Sequence, residues 1–255
     1  MLDEPVTVPR LAVAQAWEWE RIGPVHPVIG PVDVWVEPDA EGELEELTRQ
    51  ALAQPGFYEL RRGRIAGWFR DLMLAIASSS YECYGFSADR TGRHRSILAV
   101  PSGKHGALIT VEDDRLTLEQ VRGAKVIRSV VEALPTYSAA TVVEQAVPRT
   151  EYLARMNDDS YILDTENDYT AVDPADELRT LIAEKRQASH QLYVAARANG
   201  IRRASVPLTA IDTANHGRIL TYLRPGTGDL EIAWGPGSPA YITETLYNTL
   251  EALRS

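Results

Sequence analysis

The chain has 255 residues, 44% hydrophobic and 24% charged, enough apolar material to build a core without a disulfide or metal staple. Its formal net charge of −10 repels nucleic-acid phosphate and anionic membrane, and no Lys/Arg run reverses that locally. One cysteine excludes an intramolecular disulfide, no stretch approaches the roughly 18 apolar residues of a membrane span, and residues 1–10 lack the apolar core of a signal peptide. A cytoplasmic protein with neither nucleic-acid binding nor membrane insertion is the expectation.

Residues 11–19 read as a short helix, followed by a loop punctuated by Gly23-Pro24, His26-Pro27 and Gly30-Pro31. Val32, Val34 and Val36 alternate with polar neighbours and predict a strand. Residues 43–54 predict a charged helix with Leu44, Leu47 and Leu52 on its apolar side, closed by Pro55-Gly56. Ile65, Trp68, Phe69, Leu72, Met73 and Ile76 follow the i, i+3, i+4, i+7, i+8, i+11 spacing that lays a wide apolar stripe along a helix. Three strands are expected next, at 81–88, 93–100 and 106–111, separated by Asp89-Arg90-Thr91-Gly92 and Pro101-Ser102-Gly103. Cys83 falls inside the first of them and reads as a small buried hydrophobe. From Thr117 the chain is expected to lead into a short helix carrying Val126, Ile127, Val130, Val131 and Leu134, ended by Pro135.

The middle of the chain is irregular, with a strand expected within 141–147, a helix at 149–156 and a long polar loop at 157–170. Asp173 is a good N-cap, with Pro174 at the first helical position and Asp176 and Glu177 in the first turn. Strands are predicted at 191–197, 202–211, 217–224 and 229–234, and Ser238-Pro239 opens a last helix bearing Ile242, Leu246, Leu250 and Leu253. Helix, antiparallel strands, helix thus occurs twice, at about 64–134 and about 174–253. The expected fold is α+β: a quasi-two-fold repeat whose strands join one central antiparallel sheet flanked by helices.

Chemistry is sparse. None of His26, His94, His105, His190 and His216 has a metal-ligand neighbour at H-E-x-x-H spacing, so no metal site is predicted. The segment Pro101–Gly106 lacks the phosphate-loop spacing, and no G-x-S-x-G elbow exists. Asp212-Thr213-Ala214-Asn215-His216-Gly217-Arg218 is the richest polar cluster. Its Asp212 and His216 could serve acid–base work in a small hydrolase or lyase, but the same residues suit a tight turn, which is the preferred reading. A structural subunit that uses its sheet to self-associate is the other alternative.

Several ordered motifs carry a family resemblance. Gln191-Leu192-Tyr193-Val194-Ala195, Ala204-Ser205-Val206-Pro207-Leu208, Asp212-Thr213, Gly217-Arg218-Ile219, Trp234 and Pro236 follow one another in the second half. In the first half come the run from Val111-Glu112-Asp113-Asp114 to Gln120-Val121 and then Leu134-Pro135, with Val147-Pro148-Arg149-Thr150-Glu151 at mid-chain. In order and spacing, from about residue 11 to about residue 253, the chain resembles the EspG family, cytosolic specificity chaperones of actinobacterial type VII (ESX) secretion. The resemblance implies a single domain over 1–255 with pseudo-repeats at about 11–135 and 136–255, and a central antiparallel sheet flanked by helical bundles. It implies no catalysis and no cofactor. The implied role is to bind the hydrophobic tip of a PE/PPE heterodimer, keep that pair soluble and direct it to its secretion system. Carried over by position, contacts fall in 87–97 and near 174–186 and 241–253. The candidate partner-binding residues are Arg93, His94, Arg95, Ile97, Leu98, Tyr222, Leu223, Trp234 and Tyr241. The loop at 89–92 is shorter than relatives can carry, which leaves its contacts in doubt, and a weak homodimer of the free protein stays open.

Overall fold

The computed structural model describes residues 4–30, 37–156 and 173–255. In chain order its elements begin with β1 (Val6–Pro9), α1 (Arg10–Trp19), α2 (Glu41–Ala53), the small hairpin β2 (Tyr58–Glu59) and β3 (Arg64–Ile65), and α3 (Gly67–Ser78). A meander follows: β4 (Tyr81–Asp89), β5 (His94–Ser102), β6 (His105–Glu112) and β7 (Arg115–Arg122), then α4 (Val126–Glu132). Next come β8 (Gln145–Pro148), α5 (Arg149–Met156) and α6 (Pro174–Ala183). The chain closes with β9 (Arg186–Ala198), β10 (Ile201–Ala204), β11 (Leu208–Thr213), β12 (Gly217–Pro225), β13 (Leu230–Pro236) and α7 (Pro239–Arg254).

Local chemistry explains most boundaries. Asp173 Oδ1 accepts from the Ala175 N–H and Ser238 Oγ from the Tyr241 N–H, each with proline at the next position, so α6 and α7 start where capping residue and proline predict. Asp89 Oδ1 accepts from the backbone N–H groups of Thr91 and Arg93 and closes the β4–β5 turn. Phe69, Met73 and Ile76 are the buried face of α3; Ile65, from the same stripe, belongs to β3, and Trp68 stays 36% exposed. In α2 only Thr48 and Leu52 are buried, and Leu47 faces solvent.

Three expectations need correction. Residues 115–122 form a fourth strand of the first meander, β7, with Leu116 and Leu118 alternating inward, and the helix begins only at Val126. Asp113, at φ 53°, makes the tight turn that returns the chain. The single strand expected at 202–211 is two strands, β10 and β11. Pro207 has no N–H to offer a ladder, and Ser205 leaves the strand path with its N–H on the Val194 carbonyl and its Oγ accepting from the Val194 N–H. The predicted β9 is longer, starting at Arg186, because both β4 and β11 pair with its first half. The expected strand through Val32–Val36 and the loop at 157–170 lie outside the described residues.

Among the described residues, eleven strands make one antiparallel sheet in the order β1-β7-β6-β5-β4-β9-β11-β12-β13-β8, with β10 attached to β9 alone. Its two faces differ. The back face, carrying Cys83, Ile97, Ala99, Leu192, Val194, Ala210 and Leu220, is closed by Ile127 and Val130 of α4 and Ile242, Leu246 and Leu250 of α7. Cys83 is fully buried there, and burial pushes its thiol pKa up. On the front face, Leu98, Val100, Ile109, Val111 and Leu116 at one end meet Trp17, Phe57, Phe69 and Met73 from the α1–α3 side. At the other end, Ile211, Ile219 and Trp234 meet Tyr152 of α5 and Leu178 and Leu181 of α6. The sheet's central seam, β4 against β9, passes Gly85, where a Cβ would stand 2.7 Å from Leu192 Cδ2 and 3.0 Å from the Gln191 carbonyl oxygen. A side chain there would force Leu192 to move.

Candidate functional site

One registered row of residues on the front face defines the site. Leu116, Val111, Ser96, Phe86, Gln191, Thr209, Thr221 and Trp234 stand opposite one another across eight strands, from β7 to β13. Leu116, Val111 and Trp234 are buried under helices, while Ser96, Phe86, Thr209 and Thr221 are partly exposed and Gln191 is exposed. The middle of the row is therefore a trough between two helix-covered shoulders. Four strand spacings of about 4.8 Å make it about 19 Å wide, against about 10–12 Å for one helix with its side chains.

An aromatic cluster lies beside this row. Tyr84 and Tyr193 are register partners across the seam and stack at 4.9 Å with planes 8° apart. Phe86 meets both edge-on, at 6.0 and 6.2 Å. The Arg202 guanidinium lies over the Tyr84 ring at 5.4 Å, and its Nε donates to Glu82 Oε1 at 2.8 Å, where His26 Nε2 also sits at 3.2 Å. Phe86 and Tyr193 keep part of their rings in solvent, so the cluster offers an apolar surface ringed by Gln191, Thr209 and Thr221. That is the composition of a protein-binding patch more than of a small-molecule pocket.

The polar cluster nominated from sequence resolves differently. Asp212 does not meet His216. Arg218 holds it bidentately, with Nε to Oδ1 at 2.6 Å and Nη2 to Oδ2 at 2.9 Å, while His190 Nε2 lies 3.2 Å from Oδ2. His190 Nδ1 is in turn 2.8 Å from Ser87 Oγ. A serine, a histidine and an aspartate thus line up on the back face, but the arrangement is poor for nucleophilic catalysis. Ser87 is buried in an extended strand whose backbone N–H groups serve the β5 and β9 ladders, and Arg218 Nη2 approaches His190 Nε2 to 3.2 Å, where an imidazolium would meet a cation. The four residues instead tie β4, β9, β11 and β12 together, and Arg218 Nη2 also holds the Pro135 carbonyl. His216 sits in the β11–β12 turn, 3.0 Å from Glu184, whose pKa is lowered to about 2 chiefly by hydrogen bonding to the Asn215 side chain. The preferred turn reading holds for residues 214–216.

The buried carboxylates of Asp212 and Glu82 carry a pH dependence. Burial pushes each pKa up, but hydrogen bonds and charges from His190 and Arg218 at Asp212, and from His26 and Arg202 at Glu82, outweigh it, and both stand below the usual carboxylate range. A lowered folded-state pKa adds stability that is complete above the unfolded value, about 4, and is lost as pH falls through the folded value. Urea midpoints are expected to fall more steeply as pH drops below about 5 in the native protein than in Glu82→Gln/Asp212→Asn.

The other nominated residues scatter. Ile97, Leu98 and Trp234 are fully buried and belong to the three cores, a correction to their expected role as contact residues. Alternation carries Ile97 to the back face and Leu98 and Trp234 beneath the front helices. Tyr222 and Tyr241 come together, hydroxyl to hydroxyl at 3.2 Å, on the back side. Burial, then their mutual hydrogen bond, pushes the Tyr241 phenol pKa up. Leu223, partly exposed, lies on the front face beyond Thr221. Arg93, His94 and Arg95 line a polar cleft of about 450 Å³ together with Ser87 and His190. Arg95 is committed there, donating to the Ala133 carbonyl at 2.8 Å and pairing with Glu112. Sequence reasoning missed Phe86, Gln191, Tyr193, Thr209 and Thr221; the available signal was the tyrosine in each of two strands that prove to be partners.

Among the described residues, no group of three or more His, Cys, Asp or Glu side chains is placed to hold a metal, and no helix is long and apolar enough to cross a membrane. No curated protein matches the chain in sequence. Among solved structures, the chain is similar to the Mycobacterium tuberculosis type VII secretion system chaperone EspG5, determined in complex with a PE25-PPE41 dimer. The TM-score is 0.65 at 14% identity, with 97% of each chain covered, a likeness of fold across the whole length. The EspG family model matches residues 9–248, and the chain belongs to the EspG family.

Proposed function

We propose that this protein is a cytoplasmic, non-enzymatic chaperone of type VII secretion that holds a PE/PPE-type heterodimer by the hydrophobic tip of its PPE chain. The observation that carries the reading is the trough: one row of the sheet face left partly exposed over five strands between helix-covered shoulders, with Phe86 in the row and Tyr193 beside it, both partly exposed. Family membership and the EspG5 complex support the choice of occupant. An apolar helical tip would aggregate if left in water, and half-exposed rings within a polar surround can cover it and still release it. The proposed contacts are Phe86, Gln191, Tyr193, Thr209, Thr221 and Leu223, with Arg93 and His94 at the margin. Tyr222, Tyr241 and Arg95 lie toward the back.

The same reading takes the chain as one domain built from two pseudo-repeats. The strand order supports it, since β4 to β7 and β9 to β13 each run outward from the central seam to an edge strand. Both edge strands end in Val-Pro and pass directly into a helix that opens on Arg, at Val8-Pro9-Arg10 and Val147-Pro148-Arg149. Co-expression with PE/PPE-type pairs tests the function. A complex of one copy of each of the three chains is expected, with more of the pair recovered in solution. A cognate pair that stays in solution alone and never co-elutes would sink the reading.

A further inference from the structure

Residues 185–211 carry five Lys or Arg and no Asp or Glu, within a chain of net charge −10. Three of the five, Arg197, Arg202 and Arg203, belong to the hairpin of β9 and β10, turned by Asn199 and Gly200 at φ 52° and 78°. β10 pairs with β9 alone, so its outer edge has no ladder partner among the described residues. In an antiparallel pair every second residue turns its N–H and C=O away from the partner, which leaves those groups free along this edge. All four residues of β10 are exposed, and Ile201 and Val206 beside the edge are 61% and 53% exposed. Arg202 is held by Glu82 and Arg197 Nη2 donates to the Ala77 carbonyl, whereas Arg203 makes no ion pair among the described residues.

From this juxtaposition we propose that the free edge of β10 accepts an acidic, extended segment of a partner protein as an added strand. The backbone groups supply the hydrogen bonds, Ile201 and Val206 supply apolar contact, and Arg203 supplies the preference for Asp or Glu. The arginines that draw an acidic strand also repel a second copy of this edge, since like charges directly opposite one another destabilise a strand pair. Phosphate would engage the arginines but leave the backbone edge unused. Arg202 of β10 touches the aromatic cluster, but the proposal is independent of the client reading because it uses only the outer backbone edge of β10 and Arg203, neither of which belongs to the trough row.

The test uses the full chain and a labelled short peptide alternating threonine and glutamate, with a threonine–lysine peptide as control. Fluorescence polarisation should show binding of the acidic peptide only. Amide hydrogen exchange should slow at 201–204. Arg203→Glu should weaken binding about tenfold or more, and Arg203→Lys should largely retain it. Equal binding of the two peptides, or unchanged exchange at 201–204, overturns the proposal. So does tighter binding of an oligothymidylate, which would assign the arm to phosphate, or a concentration-dependent dimer that protects β10, which would assign it to self-association. Retained binding of a PE/PPE pair alongside a negative peptide result would discard this inference and leave the client reading standing.

Discussion

Replacing Asp212 with alanine is expected to destabilise the fold by about 3–5 kcal/mol, because it strands the buried Arg218 guanidinium without its carboxylate. Arg218 is 4% exposed and Asp212 2%, so neither water nor salt can take over the lost partner. For a chain of this length that lowers the thermal midpoint by about 10 °C. The loss should run through folding and not through chemistry: any activity in vivo tracks the amount of folded protein. His216→Ala, by contrast, should cost little stability, because His216 is half-exposed in a turn. The double variant Asp212→Leu/Arg218→Met should recover much of the deficit, since removing both charges also removes their desolvation. Urea unfolding of the two single variants and the double variant measures the cycle. A loss under about 1 kcal/mol in Asp212→Ala would show that the network contributes little.

Tyr193→Asp is expected to abolish capture of a PE/PPE-type pair, with an affinity loss of about 30-fold to 1,000-fold, the range of a central aromatic hot spot. Tyr193 stacks on Tyr84 at the seam and presents its remaining surface to the trough. A carboxylate there places an unpaired charge where an apolar tip must dock. Part of the effect is structural, because the stack with Tyr84 is lost, so thermal melts of the free protein accompany the binding measurement. Thr110→Asp is the control: it stands on the opposite face of the sheet and should leave affinity unchanged. Equal loss in both variants would refute the trough as the binding surface.

Much of the fold was legible from local chemistry. The stripe Phe69, Met73, Ile76 and the caps at Asp173 and Ser238 placed helices within a few residues, because capping and 3.6-residue periodicity act over one or two turns. Strand β7 was lost to the same locality. Leu116 and Leu118 alternate for only a short run between charged residues, and it is the β6 ladder that makes them a strand. Pro207, which has no N–H for a ladder, separates β10 from β11 inside the run 202–211 that alternation alone reads as one strand.

The candidate site was legible in kind but not in residues. Composition, the absence of a catalytic motif and the ordered family motifs were sufficient to name the family that holds over residues 9–248. Which side chains face outward was decided only by register, since a shift of one residue moves a whole strand's side chains to the other face. Ile97, Leu98 and Trp234 read as contact surface and are core; Phe86 and Tyr193, not among the candidate contacts read from sequence, are partly exposed. Likewise Ser87 and His190 are 103 residues apart, and His190 and Asp212 are 22 apart. No spacing rule joins them. The sequence by itself determined the class, most of the elements and the family, because those rest on short-range preference and motif order. The tertiary structure alone decided the trough, the buried clamp and the free basic edge, because each forms where strands distant in the chain lie side by side.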